Sequence, residues 1–320
     1  MEGDDPYEKF LPRLSSVVSK ITLIYIGLTL ICILSYRYFG MDSFDAITHG
    51  FTTISTGGFS THSESLGYFN NNSILMISIL FMVIGSFPFV LLAQISFKDP
   101  LIFFRDQQIK LFLTLIICLI LLLYFVVEVE VFNSQVNKII SISFNLVSII
   151  TGTGYVSDNF ENWGSYSSII FLFIMFIGGC AGSTTGGLKI FRFQILFISV
   201  RNHIKKLIKP HGVFASKFNN QPVSDSTFDS VTSFFVAYIL GFIIIAFLLS
   251  FSGLDLLTCL SASATAISNV GPGLGELIGP DGNFSLLSNY SKIILSLGML
   301  FGRLEIVTLL ILLSPFYWKN

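Results

Sequence analysis

The sequence predicts an all-α membrane protein of three consecutive span–loop–span repeats, and three observations predict it. Apolar residues make up 52% of the 320-residue chain and charged residues 12%, with 34 phenylalanines, more apolar surface than one water-soluble core would enclose. Six apolar runs approach, alone or with their flanks, the roughly 20 residues that cross a bilayer. Between the two runs of each successive pair, a short apolar segment ends in a polar, glycine-bearing turn.

The runs are Ile21–Tyr36, Ser73–Ile95, Leu111–Val127, Ser167–Ile177, Thr232–Phe251 and Tyr290–Leu313. Lys and Arg gather at Lys9, Arg13 and Lys20, at Lys98, Arg105 and Lys110, and most densely from Lys189 to Lys217, which places these stretches in the cytoplasm. The segments between carry Asp42, Asp45, Glu64, Glu128, Glu130, Asp158, Glu161, Glu276 and Asp281 against only Arg37, Lys138 and Lys292, and should face outward. The expected result is a multi-pass protein of the cell membrane with both termini cytoplasmic. Its repeats divide at residues 1–110, 111–230 and 231–320, and the polar segment from Arg201 to Phe228 lies in the cytoplasm. The acidic, polar start Met1–Pro6 reads as lacking a cleavable signal, so the first span would direct its own insertion.

Several functions are disfavoured by the same residues. A net charge of −1 with dispersed basic residues gives no support to nucleic-acid binding. Cys32, Cys118, Cys180 and Cys259 lack metal or disulfide spacing and read as packing residues. His49, His62, His203 and His211 show no metal-binding spacing and fall on opposite expected sides, which disfavours an enzyme. A cation-coupled carrier would place carboxylates within spans, whereas the acidic residues here lie mainly at span ends and the repeats all point the same way.

The loops carry the chemistry. The first runs from Phe44-Asp45-Ala46-Ile47 to Thr56-Gly57-Gly58-Phe59-Ser60, the second from Ile139 to Gly152-Thr153-Gly154-Tyr155, and the third from Leu256 to Asn269-Val270-Gly271-Pro272-Gly273. Setting Ile54, Ile150 and Ile267 in register superimposes Gly58, Gly154 and Gly271. A helix of about 10 to 12 residues is too short to cross, so each segment reads as a re-entrant helix followed by irregular backbone at membrane depth. Such backbone is tolerated where it is buried in protein or lines a water-filled path, and its carbonyls can replace the water around a cation. The helix carboxyl ends would add negative dipole there. Further on, Gly178-Gly179-Cys180-Ala181-Gly182-Ser183-Thr184-Thr185-Gly186-Gly187 should break the second span of the middle repeat. Either ion handling or close helix packing would use such a run.

These residues resemble the Trk/Ktr/HKT superfamily, specifically its TrkH branch. The resemblance rests on Phe44–Ile47 through Ser55–His62, Gly178–Gly187, Asn269–Gly275 and Gly302-Arg303-Leu304-Glu305, and covers essentially the whole chain. It implies a pseudo-fourfold, cation channel-like fold in which four repeats surround one pore, of which this chain matches the second, third and fourth. It also implies K⁺ uptake through a filter of backbone carbonyls formed by Thr56, Gly57, Gly58, Gly152, Thr153, Gly154, Asn269, Val270 and Gly271. K⁺ is then the transported ion and no cofactor is called for. The glycine-rich run resembles an intramembrane gating loop, with Gly179, Gly182, Gly186 and Gly187 in it and Arg303 holding it or repelling cations near it. A salt bridge to Glu305 or snorkelling is the other reading of Arg303, while Lys189 and Arg192 read as interfacial anchors. The implied partners are a second copy, a cytoplasmic ring of nucleotide-binding regulatory subunits, and a separate polypeptide carrying the first repeat. A non-conducting or degenerate fragment or regulatory subunit of such a system is the alternative.

Overall fold

The computed structural model describes residues 6–94, 102–128, 132, 134–212, 214–304, 311–312, 314–315 and 317–318. Helices dominate: α1 (Pro6–Tyr38), α2 (Ser43–Ile54), α3 (Asn72–Gly85), α4 (Phe89–Gln94), α5 (Ile102–Arg105), α6 (Gln107–Val126), α7 (Gln135–Ile150), α8 (Ser165–Ile174), α9 (Ile190–Ile208), α10 (Asp225–Ser250), α11 (Leu256–Ser268) and α12 (Asn289–Arg303). A two-stranded hairpin, β1 (Lys217–Phe218) and β2 (Gln221–Pro222), interrupts the series. Side-chain oxygens cap the exposed first turns where the sequence offers them. Asp42, Ser134 and Asp255 accept N–H groups at the starts of the short helices α2, α7 and α11, and Asp106 does so for α6. The acidic residues that mark the outward segments thus include the cap of one short helix, Asp42 of α2.

Among the described residues, three helices are long and apolar enough to cross a membrane: the Val17–Tyr38 part of α1, α6 and α10. The expected unbroken span Ser73–Ile95 is corrected to α3 and α4, separated at Ser86–Pro88. Pro88 brings no N–H and disfavours helical backbone at Phe87. The expected run Ser167–Ile177 is helical only as the 10-residue α8. The last run is described as helix to Arg303, and Glu305, like Lys98 and Glu130, lies outside the described residues.

The long helices bury one stripe and expose the rest. Cys32 and Tyr36 of α1, Ile109, Phe112 and Ile116 of α6, and Tyr238 and Leu249 of α10 face the interior, while Leu23, Phe125 and Phe247 point outward. An exposed surface of this kind suits lipid. The short helices differ: α7 is buried from Ser141 through Ile150 apart from Ser143, and α11 from Ser261 through Ser268. Helices enclosed all round lie within protein, and the Ser-Ala-Ser-Ala-Thr-Ala run of α11 keeps its girth small enough to be enclosed.

Candidate functional site

Each of α2, α7 and α11 ends in a loop whose N–H groups fold back in the same way. The Gly57 N–H donates to the Thr52 carbonyl at 2.8 Å, the Thr153 N–H to Ser148 at 2.9 Å, and the Val270 N–H to Thr265 at 3.1 Å. Those acceptors all lie two residues before Ile54, Ile150 and Ile267, so the register read from the glycines is the register of the hydrogen bonds. The N–H groups of Gly58 and Gly154 share the same acceptors at 3.3 and 3.2 Å, and that of Gly271 turns to the Thr265 hydroxyl at 2.8 Å.

Backbone handedness alternates through each loop. Thr56 and Gly58 have φ of +49° and +65°, Gly152 and Gly154 +66° and +83°, and Asn269 and Gly271 +55° and +129°, with no positive φ at Gly57, Thr153 or Val270. Left-handed residues at alternate positions turn successive carbonyls toward one side, which an ordinary strand does not do. A β-branched residue such as Thr56 rarely adopts this conformation, and strain of this kind concentrates where function requires it. Among the described residues, no hydrogen bond is accepted by the carbonyls of residues 56–58, 152–154 or 269–271. Donors are therefore used inward, acceptors are left unspent, and each loop starts at a helix carboxyl end that adds partial negative charge. Oxygens presented in this way are of the kind that can replace the water around a cation.

The loops abut. A Cβ on Gly58 would lie 1.7 Å from the Thr153 carbonyl oxygen, and one on Gly154 would lie 1.9 Å from that of Val270. Behind them the buried Tyr155 hydroxyl meets the hydroxyls of Thr52 at 2.6 Å and Thr53 at 3.2 Å, Thr53 continues to the Tyr36 hydroxyl at 2.8 Å, and Tyr36 in turn meets Ser78 at 2.9 Å. Removing the Tyr155 hydroxyl alone would leave this buried chain short of a partner. Tyr155→Phe is expected to destabilise the protein by about 1 to 3 kcal/mol, read as a lower melting temperature of the detergent-purified protein.

At the rim, the Glu161 carboxylate accepts the Gly275 N–H at 2.8 Å, tying the exit of the second loop to that of the third. Asp45 accepts from Thr61 at 2.6 Å and pairs with His62 at 2.9 Å. Partial burial raises the pKa of Asp45, but these hydrogen bonds outweigh it and hold the carboxyl below its ordinary range.

Beneath the loops lies the Gly178–Gly187 segment. The Gly178 N–H donates to the Leu188 carbonyl at 2.8 Å and the Leu188 N–H to Phe176 at 3.0 Å, closing its neck. The Thr184 hydroxyl meets Thr56 Oγ1 at 3.1 Å and the Ile54 carbonyl at 3.2 Å, at the base of the first loop. Gly186 approaches the third so closely that a Cβ would lie 2.3 Å from the Ser268 carbonyl oxygen, and a Cβ on Gly152 would come within 3.5 Å of the Gly186 nitrogen. The carbonyl of Gly182, at φ +79°, accepts the Phe89 N–H, so the break after α3 and the break after α8 satisfy one another. A Cβ on Gly179 would meet Thr185 at 2.9 Å, and Gly187, at φ +68°, leads into α9.

Two cations hold this segment. Arg303 Nη1 donates to the Thr184 carbonyl at 3.3 Å. Lys189 is corrected from interfacial anchor to loop ligand: its ammonium donates to the Thr185 carbonyl, to the Thr185 hydroxyl at 2.8 Å and to the Ser183 hydroxyl at 3.3 Å. The turn carries its side chain back over the loop rather than outward, which no linear pattern reveals. Arg192 lies 3.6 Å over the Phe234 ring. These residues and Gly302 line a cavity of about 320 Å³. The structure thus sets the second loop against the first and the third and the Gly178–Gly187 segment against their bases, with Lys189, Tyr155 and Glu161 making further contacts there. None of the three is marked as a site residue by any pattern in the sequence.

The family profile described as TrkH, cation transport protein, matches residues 1–320. The chain is 40% identical over 320 residues to the Trk system potassium uptake protein TrkI of Halomonas elongata, covering 100% of this chain and 65% of that protein. To TrkH of Escherichia coli K12 it is 35% identical over 325 residues, covering 100% and 66%. The crystal structure of the potassium transporter TrkH from Vibrio parahaemolyticus superposes with a TM-score of 0.89 at 35% identity, over 96% of this chain and 66% of that one. The chain therefore spans about two thirds of the length of each.

Proposed function

We propose, from the premise that this chain belongs to the TrkH family of cation transport proteins, that it forms the wall of a potassium uptake pathway in a cell membrane. The observation that carries this reading is the alternation of φ in three abutting loops whose carbonyls accept no hydrogen bond among the described residues. K⁺ is the transported ion, and the relatives named as potassium uptake proteins support that choice. The filter is residues 56–58, 152–154 and 269–271, and its three aligned glycines Gly58, Gly154 and Gly271 present carbonyls without side-chain obstruction. Residues 1–110, 111–230 and 231–320 act as its successive repeats, with both termini cytoplasmic.

The segment Gly178–Gly187 is the gate, closed in this conformation, because it touches the base of the first and third loops and is held by Arg303 and Lys189. A paired copy and a nucleotide-binding ring on the cytoplasmic face complete the assembly. The test is rubidium uptake into K⁺-loaded vesicles containing the purified chain, alone and together with a separately expressed first repeat. Uptake in either preparation supports the reading. Its absence from both, with folded protein, overturns transport by this polypeptide and favours the regulatory or degenerate alternative.

A further inference from the structure

The Gly178–Gly187 loop has one more attachment, on the side of α6. The Ala181 N–H donates to Gln108 Oε1 at 2.8 Å, and Gln108, in the first turn of α6, is buried at 7% exposure. That turn is held from outside by the tip of the β1–β2 hairpin. Asn219, left-handed at φ +46°, accepts the Gln107 N–H at 2.9 Å and donates to Asp106 Oδ2 at 2.8 Å, while the other oxygen of Asp106 caps the Gln108 N–H at 2.8 Å. Phe218 of the same hairpin packs edge-on against Phe191, in the first turn of the helix that leaves the gate loop, with ring centroids 5.0 Å apart. Gln194 of that helix also donates to the Gln107 carbonyl at 2.9 Å. One short hairpin therefore grips both the start of α6 and the exit of the gate loop, and a single buried amide passes from that grip to the loop itself.

We propose that Gln108 is a positioning residue that latches the glycine-rich loop in its closed position, and that the hairpin of residues 217–222 is the handle of that latch. The inference rests on the reading of Gly178–Gly187 as a gate. In this proposal the hairpin is the part that moves, since it is only a two-residue pair of strands and Lys217, Asn220, Gln221 and Pro222 around its tip are exposed. A load that lifts Asn219 frees the first turn of α6, and Gln108 with it.

The experiment measures resting rubidium flux in cells lacking other potassium uptake, with the chain in its complete transport assembly and flux normalised to assembled protein. Gln108→Leu keeps the volume but removes the acceptor, and Asn219→Gly keeps the left-handed turn but removes both side-chain bonds. Each is expected to raise resting flux about two- to tenfold, the range that one hydrogen bond supports, and the double variant no further than the larger single one. Gln108→Glu, which retains an acceptor for the Ala181 N–H, should stay near the parent value, and a rise with Glu as large as with Leu overturns the latch. Additive effects, or a rise with Gln108→Leu and none with Asn219→Gly, overturn the handle. Unchanged flux in both variants while Arg303→Ala raises it overturns the latch and leaves the gate standing. Unchanged flux in all three removes the gate reading on which the latch rests.

Discussion

Gly154→Ala is expected to abolish rubidium uptake while Gly57→Ala, in the neighbouring loop, leaves it within a few-fold of the parent. Gly154 sits at φ +83°, where an L-residue costs about 1 to 2 kcal/mol, and its new methyl would lie 1.9 Å from the Val270 carbonyl oxygen and 3.0 Å from the carbonyl carbon. Neither neighbour is a flexible side chain, so the backbone of one loop must move, and the atoms displaced are those proposed to coordinate the ion. Gly57 has no positive φ, and a Cβ there would find its nearest neighbour, Ser55 Oγ, at 3.2 Å. The contrast separates damage to the filter from a general intolerance of larger residues. Gly58→Ala should match Gly154→Ala, since its Cβ would lie 1.7 Å from the Thr153 carbonyl oxygen. Uptake by Gly154→Ala at the parent rate, with the protein present at normal levels, would falsify the assignment of these loops as the filter.

The second large effect is expected at Arg303, in the opposite direction. Its guanidinium binds the Thr184 carbonyl at 3.3 Å, and Thr184 is the residue whose hydroxyl bridges the glycine-rich loop, the proposed gate, to Thr56. Arg303→Ala should release that hold and remove a positive charge from the cavity below the loops. The expected result is a several-fold rise in resting flux. A hydrogen bond to a charged group contributes about 1.5 to 3 kcal/mol, and the exposure of Arg303 places its effect toward the low end. Arg303→Lys separates the two contributions: it keeps the charge, and flux near the parent value would assign the effect to electrostatics rather than to the planar fork. Patch-clamp recording of both variants reads the open probability directly.

The three loops were legible in the sequence because their determinants are local. A short apolar helix, a hydroxyl or amide residue and an aligned glycine recur with fixed spacing, and the hydrogen bonds from residues 57, 153 and 270 follow that spacing. The break at Gly178–Gly187 was legible for the same reason, since glycine and threonine resist helix wherever they fall. The interruption at Ser86–Pro88 was not anticipated, although Pro88 stood in the run, because the surrounding apolar residues fit an unbroken span equally well. What decides it is tertiary: the Ser86 carbonyl accepts the Cys180 N–H at 3.0 Å, and the Gly182 carbonyl accepts the Phe89 N–H at 3.0 Å. Lys189 was misread for a related reason. A lysine at the end of an apolar run ordinarily reaches the interface, and only the folded turn shows that its nearest acceptors, Thr185 and Ser183, lie behind it. Gln108 gave no signal, because a glutamine in a first helical turn is ordinary until its partner is known.

The brevity of α8 bears on how the protein is made. Its 10 residues rise about 15 Å, half of the roughly 30 Å hydrocarbon layer. Beyond it the chain continues as irregular backbone whose N–H groups at Gly178 and Cys180 donate to the carbonyls of Leu188 and Ser86. During synthesis Ser86 precedes Cys180, but Leu188 follows Gly178, so a nascent chain ending between Gly178 and Leu188 carries a Gly178 amide whose acceptor has not yet been made. The middle of this protein therefore cannot enter the bilayer one helix at a time. Pairing of the Gly178 amide waits for Leu188, which makes integration of this stretch a folding step rather than a partitioning step.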